Sequence, residues 1–380
     1  MASIEIVKAD GEVVTVSPSE NEDLFYGAAG TFGTLGVTTL LEIRCLEAKK
    51  YVELTYIPTT STADALEKLQ RECEDKSNDY VDGILFAEDR GVIVTGKLTN
   101  ERKDGQRHQR FLRAQDPWFY IHAERLTKHK TSPVTELCPL KDYLFRYDRG
   151  AFWTGRYAFT YFLTPFNRIT RYLLDWFMHT RVMYHALHAS GHGKGYIIQD
   201  LLIPADKTEE FVRYVGEEFG FWPLWLCPFR IEGGRELSLH PRLGEGGEKG
   251  KPKWYVNVGV WGPSKETSPY SRFVAQNRRL ESKVRELGGI KWLYGQAFYT
   301  QEEFAEIYDQ RWYEGLREKY GAGYLPSVYE KTRTKTGGID VQRRGWWAGV
   351  KDYVFWSVWP VSGLYGVFMT LWERDYLMAK

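Results

Sequence analysis

Gly30, Gly33 and Gly36 recur at every third position, with Thr31 and Thr34 between them, in the run Gly27-Ala-Ala-Gly30-Thr-Phe-Gly33-Thr-Leu-Gly36. Glycines spaced this way let backbone amides approach a flat or phosphorylated ligand. A strand rather than a helix follows the run, so it is not the dinucleotide fingerprint G-x-G-x-x-G. On pattern alone, a tight connection between sheet elements explains it equally well. A second group is His179, His185, His188 and His192. The last three are spaced i,i+3 and i,i+4, which on a helix would bring three imidazoles to one face for a metal. Gly191, Gly193 and Gly195 break such a helix near His192, and no carboxylate lies at ligand spacing. The expectation is therefore surface or substrate-facing histidines and no metal. Gly191-His-Gly-Lys194-Gly195 lacks the phosphate-loop spacing and the hydroxyl residue after the lysine. No G-x-S-x-G occurs, so nothing supports a serine hydrolase.

The elements that hold these groups alternate between strand and helix patterns. Residues 3–16 read as a hairpin around Asp10-Gly11, a strong turn signal between apolar runs. A short helix follows at Asp23-Leu24-Phe25, then the glycine loop, then a strand from Val37 to Leu46. Strand 50–57, a helix from Ala65 to Glu74, and two strands within 80–98 come next. Helix 207–219, strands 222–229 and 254–261, and helix 271–287 repeat the theme. Two helix-then-strand units imply an α+β fold: an antiparallel sheet with helices on one face. The polar stretches 100–110 and 231–253 read as solvated loops, and 331–345 as a basic linker.

The chain has 380 residues, enough for two domains, with 43% hydrophobic and 27% charged residues. Lys+Arg number 51 against 50 Asp+Glu, and no basic stretch is interleaved with aromatics, so no nucleic-acid partner is expected. Aromatic residues make up 16%, a composition suited to greasy ligands, interfaces or membrane boundaries, and explained equally well by a core built from rings. The four cysteines lack disulfide or metal spacing and suggest a reducing compartment. Tyr353 to Trp372 runs 20 residues without a charge, long enough as a helix to span a hydrocarbon core, with a helix lying at the membrane interface or buried in the protein as the alternatives. Arg343, Arg344 and Lys351 before it favour a body on the cytoplasmic side.

Gly33-Thr-Leu-Gly36, Glu42-Ile-Arg44 and Ala48-Lys-Lys-Tyr-Val52 resemble the delta-24-sterol reductase, or Diminuto, branch of the vanillyl-alcohol-oxidase-type flavoproteins. The resemblance continues in order through Asp116-Pro-Trp-Phe119, Gln199-Asp-Leu-Leu-Ile-Pro204 and Pro223-Leu-Trp-Leu-Cys-Pro-Phe229. It resumes at Tyr294, Glu302-Glu-Phe304, Tyr313 and Leu316-Arg-Glu-Lys319, and so covers roughly residues 1–335. It implies FAD as cofactor, NADPH as electron donor, and reduction of a side-chain double bond of a sterol or related terpenoid at an endoplasmic-reticulum membrane. It also implies a remnant of a two-subdomain FAD-binding domain at 1–49 and a substrate cap at 50–330. A basic linker at 331–352 and an apolar, membrane-associated helix at 353–372 complete the expected order. Gly30, Thr31, Gly33, Thr34, Leu35, Gly36 and Lys319 are the implied flavin-site residues, and Tyr313, Tyr294 and His192 the candidate proton donors.

The family's first FAD subdomain, whose glycine-rich turns cradle the pyrophosphate, has no counterpart in this sequence. Charge-assisted hydrogen bonds are each worth ~1.5–3 kcal/mol, so without that segment FAD affinity would fall steeply, to the point of loss. Two alternatives therefore stand beside the reductase. One is a flavin-free cyclase or isomerase that shapes an isoprenoid against aromatic walls. The other is an inactive, membrane-associated partner of a full-length flavoprotein homologue.

Overall fold

The computed structural model describes residues 1–231, 253–267, 269–334, 355 and 358–374. Most of the glycine-rich stretch 231–253, and the basic linker from residue 335 onward, lie outside the described residues. Asp10-Gly11 turns the chain as its chemistry requires. Gly11 takes φ +86°, and the Asp10 carboxylate accepts the Glu12 amide at 3.0 Å. Strands β1 (Ser3–Val7) and β2 (Val13–Val16) pair across that turn. Helix α1 (Glu22–Ala28) and strand β3 (Val37–Glu42) follow, and β3 adds to β1 to give the order β2-β1-β3.

The main sheet has eight antiparallel strands in the order β11-β8-β10-β9-β5-β6-β4-β7. They are β4 (Tyr51–Thr59), β5 (Tyr80–Ala87), β6 (Arg90–Thr99), β7 (Val134–Pro139), β8 (Tyr196–Pro204), β9 (Leu224–Ile231), β10 (Lys253–Pro263) and β11 (Ile290–Lys291). Helices α2 (Thr62–Glu74), α8 (Thr208–Glu218) and α9 (Tyr270–Glu286) cover one face. Each is amphipathic, and the Ser61 side chain caps α2 by accepting the Asp64 amide at 3.0 Å. Leu69, Phe211, Val215, Phe273 and Leu280 meet Ile93, Leu201, Leu226 and Val258 of the strands in a closed apolar layer.

The expectation of helices on one face only needs correction. A helical segment covers the other face of the β4–β6 half and reaches over β9 and β10. Its helices are α3 (Phe119–Thr127), α4 (Leu140–Leu144), α5 (Gly155–Tyr161), α6 (Arg168–Leu173) and α7 (Thr180–Ala189). The strands already carry the reason: Ile84-Leu85-Phe86 and Val92-Ile93-Val94 are continuous apolar runs, which bury on both sides. This second layer is aromatic, with Phe111, Trp118, Phe119, Trp153 and Phe159. Gly150 sits at φ +82°, where a Cβ would lie 2.5 Å from the Trp118 ring. Arg149 is wholly buried and ties the segment together. It donates to Asp175 and to the carbonyls of Phe111, Ala114 and Asp116.

Residues after β11 pack with the start of the chain. Helices α10 (Gln301–Ile307), α11 (Gln310–Lys319) and α12 (Val328–Thr332) place Phe304, Tyr308, Tyr313, Leu316 and Val328 in one cluster with Ile4, Ile6, Val16 and Leu24. Buried Lys291, paired with Glu281, stands between this cluster and the main sheet, and its carbonyl accepts the Tyr308 hydroxyl.

Of the apolar tail, residues 353, 354, 356 and 357 lie outside the described residues, and the described part forms a helix, α13, over Val361–Glu373 with Pro360 at its start. Thirteen residues give about 20 Å, short of the ~30 Å hydrocarbon core. Among the described residues no helix is long and apolar enough to cross a membrane. Instead α13 lies on α7, and its glycines allow a close approach. A Cβ on Gly363 would meet the Tyr161 ring at 2.4 Å, and one on Gly366 would meet the Ala186 carbonyl at 2.4 Å.

Candidate functional site

Helices α5, α7 and α13 and the ends of β8 and β10 enclose a cavity of about 760 Å³. Its wall is mostly apolar: Phe162, Phe177, Met183, Leu187, Ile198 and Trp261. A space of this size and character takes a ligand of drug or sterol dimensions. One hydrogen-bonded polar group in it centres on His192. His192 shares hydrogen bonds with the Tyr161 hydroxyl at 3.3 Å and the Ser362 hydroxyl at 3.0 Å. Burial pushes the His192 imidazole below its ordinary value, so it is neutral at pH 7 and serves as a hydrogen-bonding group.

A second polar cluster lies next to the cavity on the same sheet face. Successive same-side residues of a strand stand about 7 Å apart, so Asp200 is one step along β8 from cavity-lining Ile198. The Asp200 carboxylate accepts the Asn257 amide at 2.9 Å and the Tyr294 hydroxyl. Asn257 in turn accepts the Trp292 indole N–H at 2.8 Å. Burial pushes the Asp200 carboxyl up to about 6, against the lowering effect of its hydrogen bonds. Such a carboxyl holds a proton far more readily than an exposed one. Tyr294 itself is 60% exposed and forms the solvent side of this pair.

The glycine loop lies elsewhere. Thr31 and Thr34 are buried, and their hydroxyls donate to the carbonyls of Ala28 and Thr31, both at 2.8 Å. Leu35 is buried as well, so it holds the loop down rather than facing a ligand. Gly30 and Gly33 take φ +75° and +71°, which only glycine adopts without strain. Exposed Phe32 and Gly33 lie between the two threonine bonds, and among the described residues no acceptor is paired with their amides. The Phe32 carbonyl accepts from Lys331 at 2.6 Å.

The residues expected at the site thus fall in three places. His192 is in the cavity wall and Tyr294 is on the Asp200 cluster. Tyr313 is wholly buried, donates to Thr34 Oγ1 at 2.6 Å and accepts from Arg317 and the Val328 amide. It anchors the glycine loop. Lys319 pairs with Asp23 at 2.6 Å at the surface. The cavity wall includes none of residues 30–36. Sequence reasoning missed Asp200, Tyr161 and Ser362. Asp200 stands in the stretch Gln199–Pro204, and a charge in a mostly apolar strand was its signal.

No family model matches the chain. Human Delta(24)-sterol reductase is 32% identical over 337 residues, which cover 86% of this chain and 62% of that protein. The Delta(24)-sterol reductase of Arabidopsis thaliana is 29% identical over 364 residues, 87% of this chain and 62% of that protein. Cytokinin dehydrogenase 9 of Oryza sativa subsp. japonica is 32% identical over 111 residues, 28% of this chain and 21% of that protein. The chain therefore spans about three-fifths of the length of the sterol reductases it matches. Carried through nearly the whole chain in both animals and plants, this similarity makes the protein a relative of the Delta(24)-sterol reductases.

Proposed function

We propose that this chain supplies the substrate site, and part of the flavin site, of an FAD-dependent oxidoreductase that saturates a side-chain double bond of a sterol. NADPH is the electron donor in this reading. The observation that carries it is the apolar cavity of about 760 Å³, found in a chain similar to sterol reductases over 86% of its length.

The glycine loop fits a flavin. The exposed amides of Phe32 and Gly33 are available to phosphate or ring oxygens, and the Thr31 and Thr34 hydroxyls, fixed by their own bonds and by Tyr313, keep the turn rigid. When bound, FAD would deliver a hydride to one carbon of the double bond. The remaining tasks fall to this chain's side chains. Phe162, Phe177, Met183 and Trp261 hold the sterol body and keep water out. The His192–Tyr161–Ser362 spot binds the single hydroxyl of a sterol. The Asp200–Tyr294 pair, next to the cavity, is the source of the proton that the second carbon requires, and a carboxyl raised to about 6 carries that proton at higher pH than an exposed one does.

Absorption spectra of the purified chain titrated with FAD test this reading, followed by turnover of a side-chain-unsaturated sterol with NADPH. Flavin bands that bleach on NADPH addition, with formation of the saturated sterol, are expected. A protein that gains no flavin signal, or one that converts an isoprenoid without FAD and NADPH, overturns it.

A further inference from the structure

Helix α13 is reversed relative to a helix on a water-soluble surface. Its small and polar residues Ser362, Gly363, Gly366 and Thr370 are buried against the neighbouring helices. Its apolar residues Leu364, Phe368 and Leu371, at i, i+4 and i+7, are exposed, and so is Trp372 at 72%. The same reversal extends around the cavity mouth. Leu364 and Tyr184 line the cavity and are also exposed. Lining residues Phe162, Leu174 and Phe177 have exposed apolar chain neighbours in Leu163, Leu173 and Trp176. No residue of α6 is buried, and Ile169 is 69% exposed. A contiguous apolar surface on this scale marks an interaction site.

Charge identifies the occupant. Between Gly150 and Gly195 the basic residues are Arg156, Arg168, Arg171, Arg181 and Lys194, whereas the one acidic residue there, Asp175, is buried against Arg149, and Glu373 of α13 faces His185 of α7. Arg156, Arg168, Arg181 and Lys194 are exposed. The chain as a whole carries only +1, so this positive excess is local. A second copy of the chain would bring the same arginines against it. Apolar and aromatic side chains interspersed with arginines match a bilayer interface that carries anionic headgroups.

We propose that the face formed by α5, α6, α7 and α13 docks on the surface of an anionic lipid bilayer, with the cavity mouth opening into it. On this proposal the described residues meet the membrane through this face. This proposal deepens the sterol reading in one respect: a sterol dissolved in the bilayer passes into the cavity without crossing water. Docking itself does not depend on that reading.

Flotation of the full chain with sterol-free phosphatidylcholine–phosphatidylserine vesicles separates the two. The wild-type chain is expected to float. Leu173→Glu combined with Leu364→Glu removes two apolar contacts from the face and is expected to lower the vesicle-bound fraction at least about tenfold. Arg168→Glu with Arg181→Glu is expected to weaken binding by about fivefold per residue, and by less on neutral vesicles. Leu46→Glu, at a residue 88% exposed in the other part of the molecule, is expected to float like wild type. Circular dichroism and thermal melts check that each variant is folded. Wild-type protein that stays with the unbound fraction, or equal flotation of the Leu173/Leu364 double variant, overturns the proposal. So does concentration-dependent self-association that the same variants abolish without any flotation. Vesicle binding by a chain that shows no flavin signal would sink the reductase reading and leave the docking face standing.

Discussion

On one face of the eight-stranded sheet, α2, α8 and α9 close over Leu201, Leu226 and Val258 in a continuous layer. On the other, α5 and α7 stand off the ends of β8 and β10 and leave a cavity of about 760 Å³. The strands are the same, and odd and even residues simply point opposite ways. In β8, Ile197, Leu201 and Ile203 pack against helices, while Ile198 lines the cavity and Asp200 holds the polar cluster. One face provides stability and the other is free to hold a ligand. A void lowers the packing contribution of its lining residues, because those side chains lack partner atoms on one side.

Truncation on the two faces should differ most. Phe211→Ala in the closed layer is expected to cost about 3–5 kcal/mol in urea unfolding, since the residue is fully buried. A loss near 1 kcal/mol would mean the two faces are alike. The next largest effect is on chemistry. Asp200→Asn is expected to lower turnover about 100-fold while leaving FAD titration unchanged. In the wild type, the protonated carboxyl is the active form and its pKa is raised to about 6, so the rate should fall as pH rises through 6. A pH profile that the Asn variant shares with wild type would remove Asp200 from the reaction.

Smaller effects sharpen the same contrast. Phe177→Ala, at the cavity wall, is expected to cost only about 1 kcal/mol of stability, yet to weaken sterol binding about tenfold. Last is the outer edge of the helical segment. His179 is raised to about 9 by its bonds to Asp148 and then Asp175. A raised basic group stabilises fully below its ordinary value of 6.5 and loses that contribution as pH climbs through 9. The ion pairs are about one-third exposed, so the loss is on the order of 1 kcal/mol after screening. Thermal melts between pH 6.5 and 9 should show a fall in wild type that His179→Gln lacks.

Much of this fold was legible. The Asp10-Gly11 hairpin and helices α2, α8 and α9 follow from local turn chemistry and from the periodicity of apolar residues. The second helical layer was legible only in the unbroken runs 84–86 and 92–94, which alternation alone does not interpret. The tail's apolar character was plain, but its length suggested a span. In its described part, the stripe of small residues facing α7 lays helix α13 on the protein. Of the candidate site, the glycine loop and His192 could be picked out from residue type. Asp200 could not, because its raised pKa depends on burial beside Asn257 and Tyr294 on two other segments.

Read by itself, the sequence was enough to determine the elements, the antiparallel α+β class and the kinship with sterol reductases, since each rests on neighbouring residues or on ordered similarity. Only the tertiary structure decided that Tyr313 would clamp Thr34 across 279 positions, that a cavity would open beside Ile198, and that α13 would turn its apolar side outward. Those outcomes depend on which surfaces meet, and packing between distant segments leaves no periodic trace in the chain.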